Sequence, residues 1–265
     1  MINTFESPED ELITFNEAGD GPLWERGVPT SNDLNTAQSG TQVYGTNLDG
    51  NHPNNTKGYL FSQCYDLSAI NGPILKFHMA FEIEFDWDLA YVEYTTDGGN
   101  SWSLLGSAAD PNWYNSSRIA GDGLGNNCFN CVGGQWTGTN TVMTEYSYNL
   151  DALSSEPKVI FRMVYHSDQA VVFEGVIMDD FYVDGTLSTE EFSANDIMIY
   201  PNPSNDIFNI RLQNAAEFNY TVSDITGKII MKANNISGSN YALDMSAYST
   251  GMYFLRIESA GRSIT

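Results

Sequence analysis

Apolar and polar residues alternate with a period of two along much of this 265-residue chain. The longest run covers residues 74–95. Phe77, Met79, Phe81, Ile83, Phe85 and Trp87 fall on one parity, and His78, Glu82, Glu84, Asp86 and Asp88 on the other. That pattern predicts one strand with an apolar face and an acidic face. Shorter runs predict strands at 12–15, 42–44, 58–62, 144–150, 158–166 and 174–183. A second series lies near the end: 197–200, 207–212, 220–230 and 252–257, separated by Pro201-Asn202-Pro203, Asp224-Ile225-Thr226-Gly227-Lys228 and Ser249-Thr250-Gly251. The prolines fix φ and bias each preceding residue toward extended backbone, so the first of these separators is a rigid corner between strands. No stretch of useful length carries the helical period.

The expected fold class is therefore all-β. Nine or so strands with long excursions predict a jelly-roll sandwich over residues 1–187, and a small immunoglobulin-like sandwich follows over 196–265. Residues 188–195, polar and without strand pattern, are the expected linker.

Charge sharpens the division. The chain carries a net charge of −23, and residues 196–265, with five basic and six acidic side chains, account for only −1 of it. The acidic N-terminal part disfavours nucleic acid and anionic headgroups and suits either solubility or cation binding. Four like charges at Glu82, Glu84, Asp86 and Asp88 on one strand face would be solvated or bridged by a cation, with Asp168 as a further donor. Cys64, Cys128 and Cys131 permit one disulfide, either local to Cys128-Phe129-Asn130-Cys131 or from Cys64 to one of that pair. No His-Glu-x-x-His or Gly-x-Ser-x-Gly pattern occurs, and no carboxylate is singled out as a glycosidase acid, so the expectation is a protein without catalytic residues. The segment 95–102, Thr-Thr-Asp-Gly-Gly-Asn-Ser-Trp, resembles an Asp-box; a single copy marks a hairpin and carries no sialidase chemistry. No apolar run is long enough to span a membrane as a helix. Met1-Ile2-Asn3-Thr4 lacks the basic and apolar regions of a signal peptide, so a mature form or the end part of a longer protein is expected.

The motifs after residue 195 resemble the type A C-terminal sorting domain that Bacteroidota use for type IX secretion. The matching residues are Pro201, Asn202 and Pro203, then Gly227 and Lys228, then Gly251 and Tyr253. The resemblance implies export through the periplasm and an outer-membrane translocon, capture by a β-barrel shuttle protein, and cleavage by a sortase-like protease that passes the cargo to the cell surface. That family ends in a Lys-rich apolar strand, of which Ser263-Ile264-Thr265 is the opening.

Residues 12–186 resemble the MAM-type jelly roll, also found beside immune-inhibitor-A-like proteases. The likeness rests on Trp24-Glu25-Arg26-Gly27, Asn47-Leu48-Asp49-Gly50-Asn51, Gly58-Tyr59-Leu60-Phe61-Ser62, Ile160-Phe161-Arg162 and the segment 174–181. It implies an accessory module for adhesion or for binding surface glycans or adhesins, with gliding as a possible setting and a larger secreted hydrolase as the alternative one. It also implies a structural Ca²⁺, for which Asp49, Asn51, Asp179, Asp180 and Glu17 are the oxygen donors to expect. His52 follows Asp49 by three residues, a displacement from the family pattern. Trp87, Tyr91, Trp113 and Trp136, with Tyr114, are the candidate stacking or contact surface.

Overall fold

The computed structural model describes residues 2–19, 21–187, 197–213, 217–259 and 262–264. The expected linker, 188–195, lies outside them. The chain divides into two compact units, residues 1–187 and 188–265.

In the first unit the strands are β1 (Ile13–Asn16), β2 (Glu25–Gly27), β3 (Val43–Gly45), β4 (Lys57–Tyr65), β5 (Ile70–Glu82), β6 (Leu89–Thr95), β7 (Ser103–Leu104), β8 (Thr139–Asn149), β9 (Val159–His166) and β10 (Gly175–Leu187). They form two five-stranded sheets, β1-β4-β9-β6-β7 and β2-β3-β10-β5-β8, with every ladder antiparallel. This is a jelly-roll sandwich. Its core follows the alternation: Leu75, Phe77, Met79 and Phe81 of β5 are buried, as are Leu60, Ala90, Val92, Phe161 and Met163 of the other sheet. Phe77 is the hub, with Trp113, Trp136, Tyr146 and Phe181 all within about 6 Å between ring centroids.

The long strand expected over 74–95 is instead two. β5 ends at Glu82 in one sheet and β6 begins at Leu89 in the other. Between them the chain turns, with the amides of Trp87 and Asp88 donating to the Glu84 carbonyl and Asp86 at φ +65°.

The polar excursion over residues 32–58 is tied down by carboxylates. Glu174 accepts the amides of Asn32, Asp33 and Leu34; Asp179 accepts those of Gln38 and Ser39; Glu6 accepts those of Thr41 and Gln42. Each satisfies backbone donors that a buried loop would otherwise leave unpaired.

The second unit contains β11 (Ile197–Tyr200), β12 (Ile207–Leu212), β13 (Glu217–Asp224), β14 (Ile229–Ser237), β15 (Asn240–Asp244), β16 (Tyr253–Ser259) and β17 (Arg262–Ile264). Sheets β11-β12-β15 and β14-β13-β16-β17 enclose Ile210, Leu212, Phe218, Tyr220, Val222, Leu243, Met245 and Ile257. It too is an all-β sandwich.

Candidate binding cleft

The corner between β5 and β6 scatters the four acids that the alternation placed on one face, because a turn ends the period of two. Glu82 closes β5, where one of its carboxylate oxygens lies within 4.8 Å of those of Asp33 and Glu174. Asp86 is buried and pairs with Arg118 at 2.5 Å. Asp88 is fully buried, with Oδ2 3.2 Å from His52 Nε2. The same carboxylate accepts the Glu84 amide at 3.1 Å through Oδ2 and the Asp168 amide at 3.0 Å through Oδ1. Asp88 thus holds together two segments that each carry a further carboxylate.

Those two, Glu84 and Asp168, open into a surface cleft of about 610 Å³. Trp87 and Phe129 line one side, and the segment His166-Ser167-Asp168-Gln169-Ala170 lines the other. Trp87 is half-buried and Phe129 is 67% exposed, with ring centroids 6.0 Å apart and planes at 46°. Phe129 and Asn130, both in the cleft wall, are the two residues spanned by the Cys128–Cys131 disulfide, while Cys64 is free and exposed. Burial first, then the charges of Asp168 and Asp88, push the Glu84 carboxyl above its ordinary range. Burial, and next the Lys57 charge, hold His166 below its ordinary value, so it is neutral at physiological pH and offsets neither carboxylate. No lysine or arginine lines the cleft.

Of the expected aromatic surface, Trp87 alone reaches this cleft. Tyr91, Trp113, Tyr114 and Trp136 are at most 5% exposed, and the indoles are satisfied internally. Trp113 Nε1 donates to the Leu105 carbonyl at 2.8 Å, and Trp136 Nε1 to the Trp113 carbonyl at 3.1 Å. A buried ring whose polar edge is already bonded is core. Phe129 was missed, although its place inside the two-cysteine loop was the available signal.

The five expected calcium donors are not gathered. Asp49 and Asn51 are exposed in the loop after β3, and Asn51 Nδ2 donates to the Val172 carbonyl at 3.2 Å. Glu17, beyond β1, accepts the Tyr59 hydroxyl and lies 3.8 Å from Lys57. Asp179, fully buried, is occupied by the Gln38 and Ser39 amides and by the Asp180 amide at 2.7 Å. Asp180 accepts the Ser39 hydroxyl at 2.7 Å and faces His78 at 3.5 Å. Glu17, Asp179 and Asp180 thus accept from separate donors.

In the second unit the motif residues lie on loops at one end of the sandwich. The end of β13 pairs with the start of β16 (Asp224 with Tyr253), and the start of β12 pairs with the end of β15 (Ile207 with Asp244). Asn202 and Pro203 share an apolar hollow of about 500 Å³ with Gly251, Met252 and Tyr253. Gly227 and Lys228 form the adjoining β13–β14 turn, where Asp224 accepts the Thr226 and Lys228 amides and Gly227 takes φ +83°, open to glycine without strain. They do not line the hollow.

Residues 198–265 match the family model of the secretion system C-terminal sorting domain. This domain directs the chain through the type IX secretion system to the cell surface or the medium. Among the described residues no helix is long and apolar enough to cross a membrane. Bacillopeptidase F of Bacillus subtilis (strain 168) is 35% identical over 89 residues, 34% of this chain and 6% of that protein. Ulvan lyase NLR42 of Nonlabens ulvanivorans is 24% identical over 125 residues, 46% of this chain and 23% of the lyase. The chain matches less than a quarter of the length of either relative. Among solved structures, the K2 cleaved adhesin domain of Lys-gingipain aligns over 71% of this chain and 98% of its own, at 19% identity and a TM-score of 0.41. The K1 domain, from Porphyromonas gingivalis W83, aligns over 70% and 98%, at 14% identity and a TM-score of 0.40.

Proposed function

We propose that this protein is a non-catalytic binding module delivered to the cell surface, with an adhesive role. Residues 197–265 act as the address and are read by the outer-membrane translocon and its β-barrel shuttle, with a sortase-like protease cutting before them. The first unit does the work at the destination. The observation that carries this reading is the cleft beside Trp87, in which an exposed phenyl ring is held in place by a disulfide and two carboxylates lack a cationic partner. Exposed aromatic surface fixed by covalent and buried polar contacts is what a preformed recognition site requires.

Two measurements test it. Deleting residues 196–265 is expected to leave a folded first unit in the periplasm and to lower its surface level at least tenfold, followed by protease accessibility on intact cells. Normal surface display would remove the export half of the proposal. Retention of the full chain on immobilised surface glycans or surface proteins, lost on Phe129→Ala, is the expected result for the binding half; retention that ignores Phe129 would remove it.

A second reading, an accessory module of a larger secreted hydrolase, is favoured by the partial matches to two much longer enzymes. It predicts a catalytic domain in the same gene product or operon and leaves the role of the cleft unchanged.

A further inference from the structure

We propose that the cleft takes the side chain of a lysine or arginine presented by a partner polypeptide. The inference rests on the reading of the first unit as a binding module and names the chemistry of its ligand.

The argument starts from unbalanced charge. Glu84 and Asp168 line the same cleft, and Asp88 holds their two segments side by side through the Glu84 and Asp168 amides. Asp88 Oδ2 lies 3.2 Å from His52 Nε2 and accepts the two segment amides, and Asp86 pairs with Arg118. Asp168 Oδ1 receives only the Ala170 amide at 2.9 Å, and among the described residues nothing donates to the Glu84 carboxylate. Two carboxylates brought together without a counter-charge repel each other, and the repulsion is relieved when a cation arrives. The surroundings add to this, since residues 1–187 carry 26 acidic and six basic side chains, a net of −20. Such a field concentrates basic ligands around the unit, and the cleft localises them.

The walls favour an ammonium or guanidinium on an aliphatic stem. Trp87 and Phe129 pack on each other, with ring centroids 6.0 Å apart and planes at 46°, and offer an aromatic surface beside the carboxylates. An ammonium or guanidinium beside such rings gains a cation–π contribution, and its methylene stem covers apolar surface while the charge reaches the carboxylates. A neutral sugar would leave the charge imbalance unrelieved. Asn55, Asn130 and Gln169 on the rim supply both donors and acceptors to a peptide backbone.

The test uses the full chain and a fluorescein-labelled Gly-Ser peptide carrying two arginines, read by anisotropy at 150 mM salt. The same peptide with citrulline is the neutral isostere, and a glucosamine tetramer is the competing cationic glycan. We expect the citrulline peptide to bind at least tenfold more weakly. Glu84→Gln is expected to weaken the arginine peptide about fivefold or more. Phe129→Ala should do the same with no change of charge, and Asp151→Asn, a remote exposed acid, should stay within twofold. Equal affinity in Glu84→Gln and Phe129→Ala would overturn the site in favour of diffuse attraction. Tighter binding of the glucosamine tetramer at the same residues would overturn the polypeptide as ligand. A neutral ligand that needs Phe129 and ignores Glu84 would overturn the cationic chemistry while keeping the binding-module reading. If no ligand depends on Phe129, both fall together.

Discussion

The hollow at the Pro-Asn-Pro end of the second unit and the cleft at the β5–β6 corner of the first are similar in size and opposite in chemistry. The hollow, about 500 Å³, is lined by Ile199, Phe208, Val222, Leu243, Met245 and other residues without one charged side chain. The cleft, about 610 Å³, sets two carboxylates between aromatic rings and polar loop residues. The units differ in the same way, with 22 of the 23 net negative charges on residues 1–195. Both surfaces are assembled from separated segments, so the difference lies in chemistry: apolar contact in one, uncompensated charge beside aromatic rings in the other. An apolar surface is insensitive to salt, whereas a charged one selects ligands by sign.

The largest expected effect lies under the cleft. Asp88→Asn replaces the buried carboxylate that accepts two loop amides, so a loss of about 3–5 kcal/mol is expected for the two charge-assisted bonds lost or weakened. Differential scanning calorimetry on the full chain should show the transition of the first unit falling while that of the second stays in place. Movement of both transitions together would break the claim that the units are energetically separate.

Next comes the mirror experiment. Ile210→Ala, at a fully buried position in a core of eight side chains, is expected to cost about 2–5 kcal/mol. That is enough to unfold a sandwich of this size at growth temperature. Surface display should drop with it, while peptide binding by purified protein stays unchanged. Display that survives an unfolded second unit would show that linear motifs suffice for export.

Smaller still is a pH effect confined to the first unit. Burial first, and with it the Asp180 charge, lifts the Asp179 carboxyl to about 6 against the opposing pull of the Ser39, Asp180 and Gln38 amides. The native state therefore binds this proton more tightly than the unfolded chain does. The stability this group contributes is full below about pH 4 and is lost as pH rises to about 6, at most about 3 kcal/mol. Urea midpoints measured from pH 4 to 7 should fall more steeply in the parent protein than in Asp179→Asn. Parallel pH profiles would mean that the three amides outweigh burial.

Much of the sheet was legible because alternation is a local property. The strands at 158–166 and 174–183 appear as β9 and β10 with small shifts at their ends. The corner at 84–88 was not legible, since Ile83, Phe85 and Trp87 keep the parity of β5 while Asp86 adopts a left-handed φ. Hydrophobic parity does not register a change of backbone hand. The site divides along the same line. Pro201-Asn202-Pro203 and Gly251-Met252-Tyr253 are contiguous and could be read directly. The contact between His52 and Asp88, and the internal bonds of the Trp113 and Trp136 indoles, exist only after folding. Composition flagged the aromatics and left their burial undecided. Within the polar excursion, the hydrogen bonds from residues 32–42 to Glu6, Glu174 and Asp179 also join positions far apart in sequence.

The cleft also has a place in time. Its lining comes from residues 55, 84, 87, 129–130 and 166–170, and the Asp88 contact that joins two of these segments spans 80 residues of chain. Contacts between residues so far apart in sequence carry a large loop-closure cost and slow folding. A chain still folding has no assembled cleft. Whatever the cleft takes, affinity for it appears only once segments from residue 55 to residue 170 have come together.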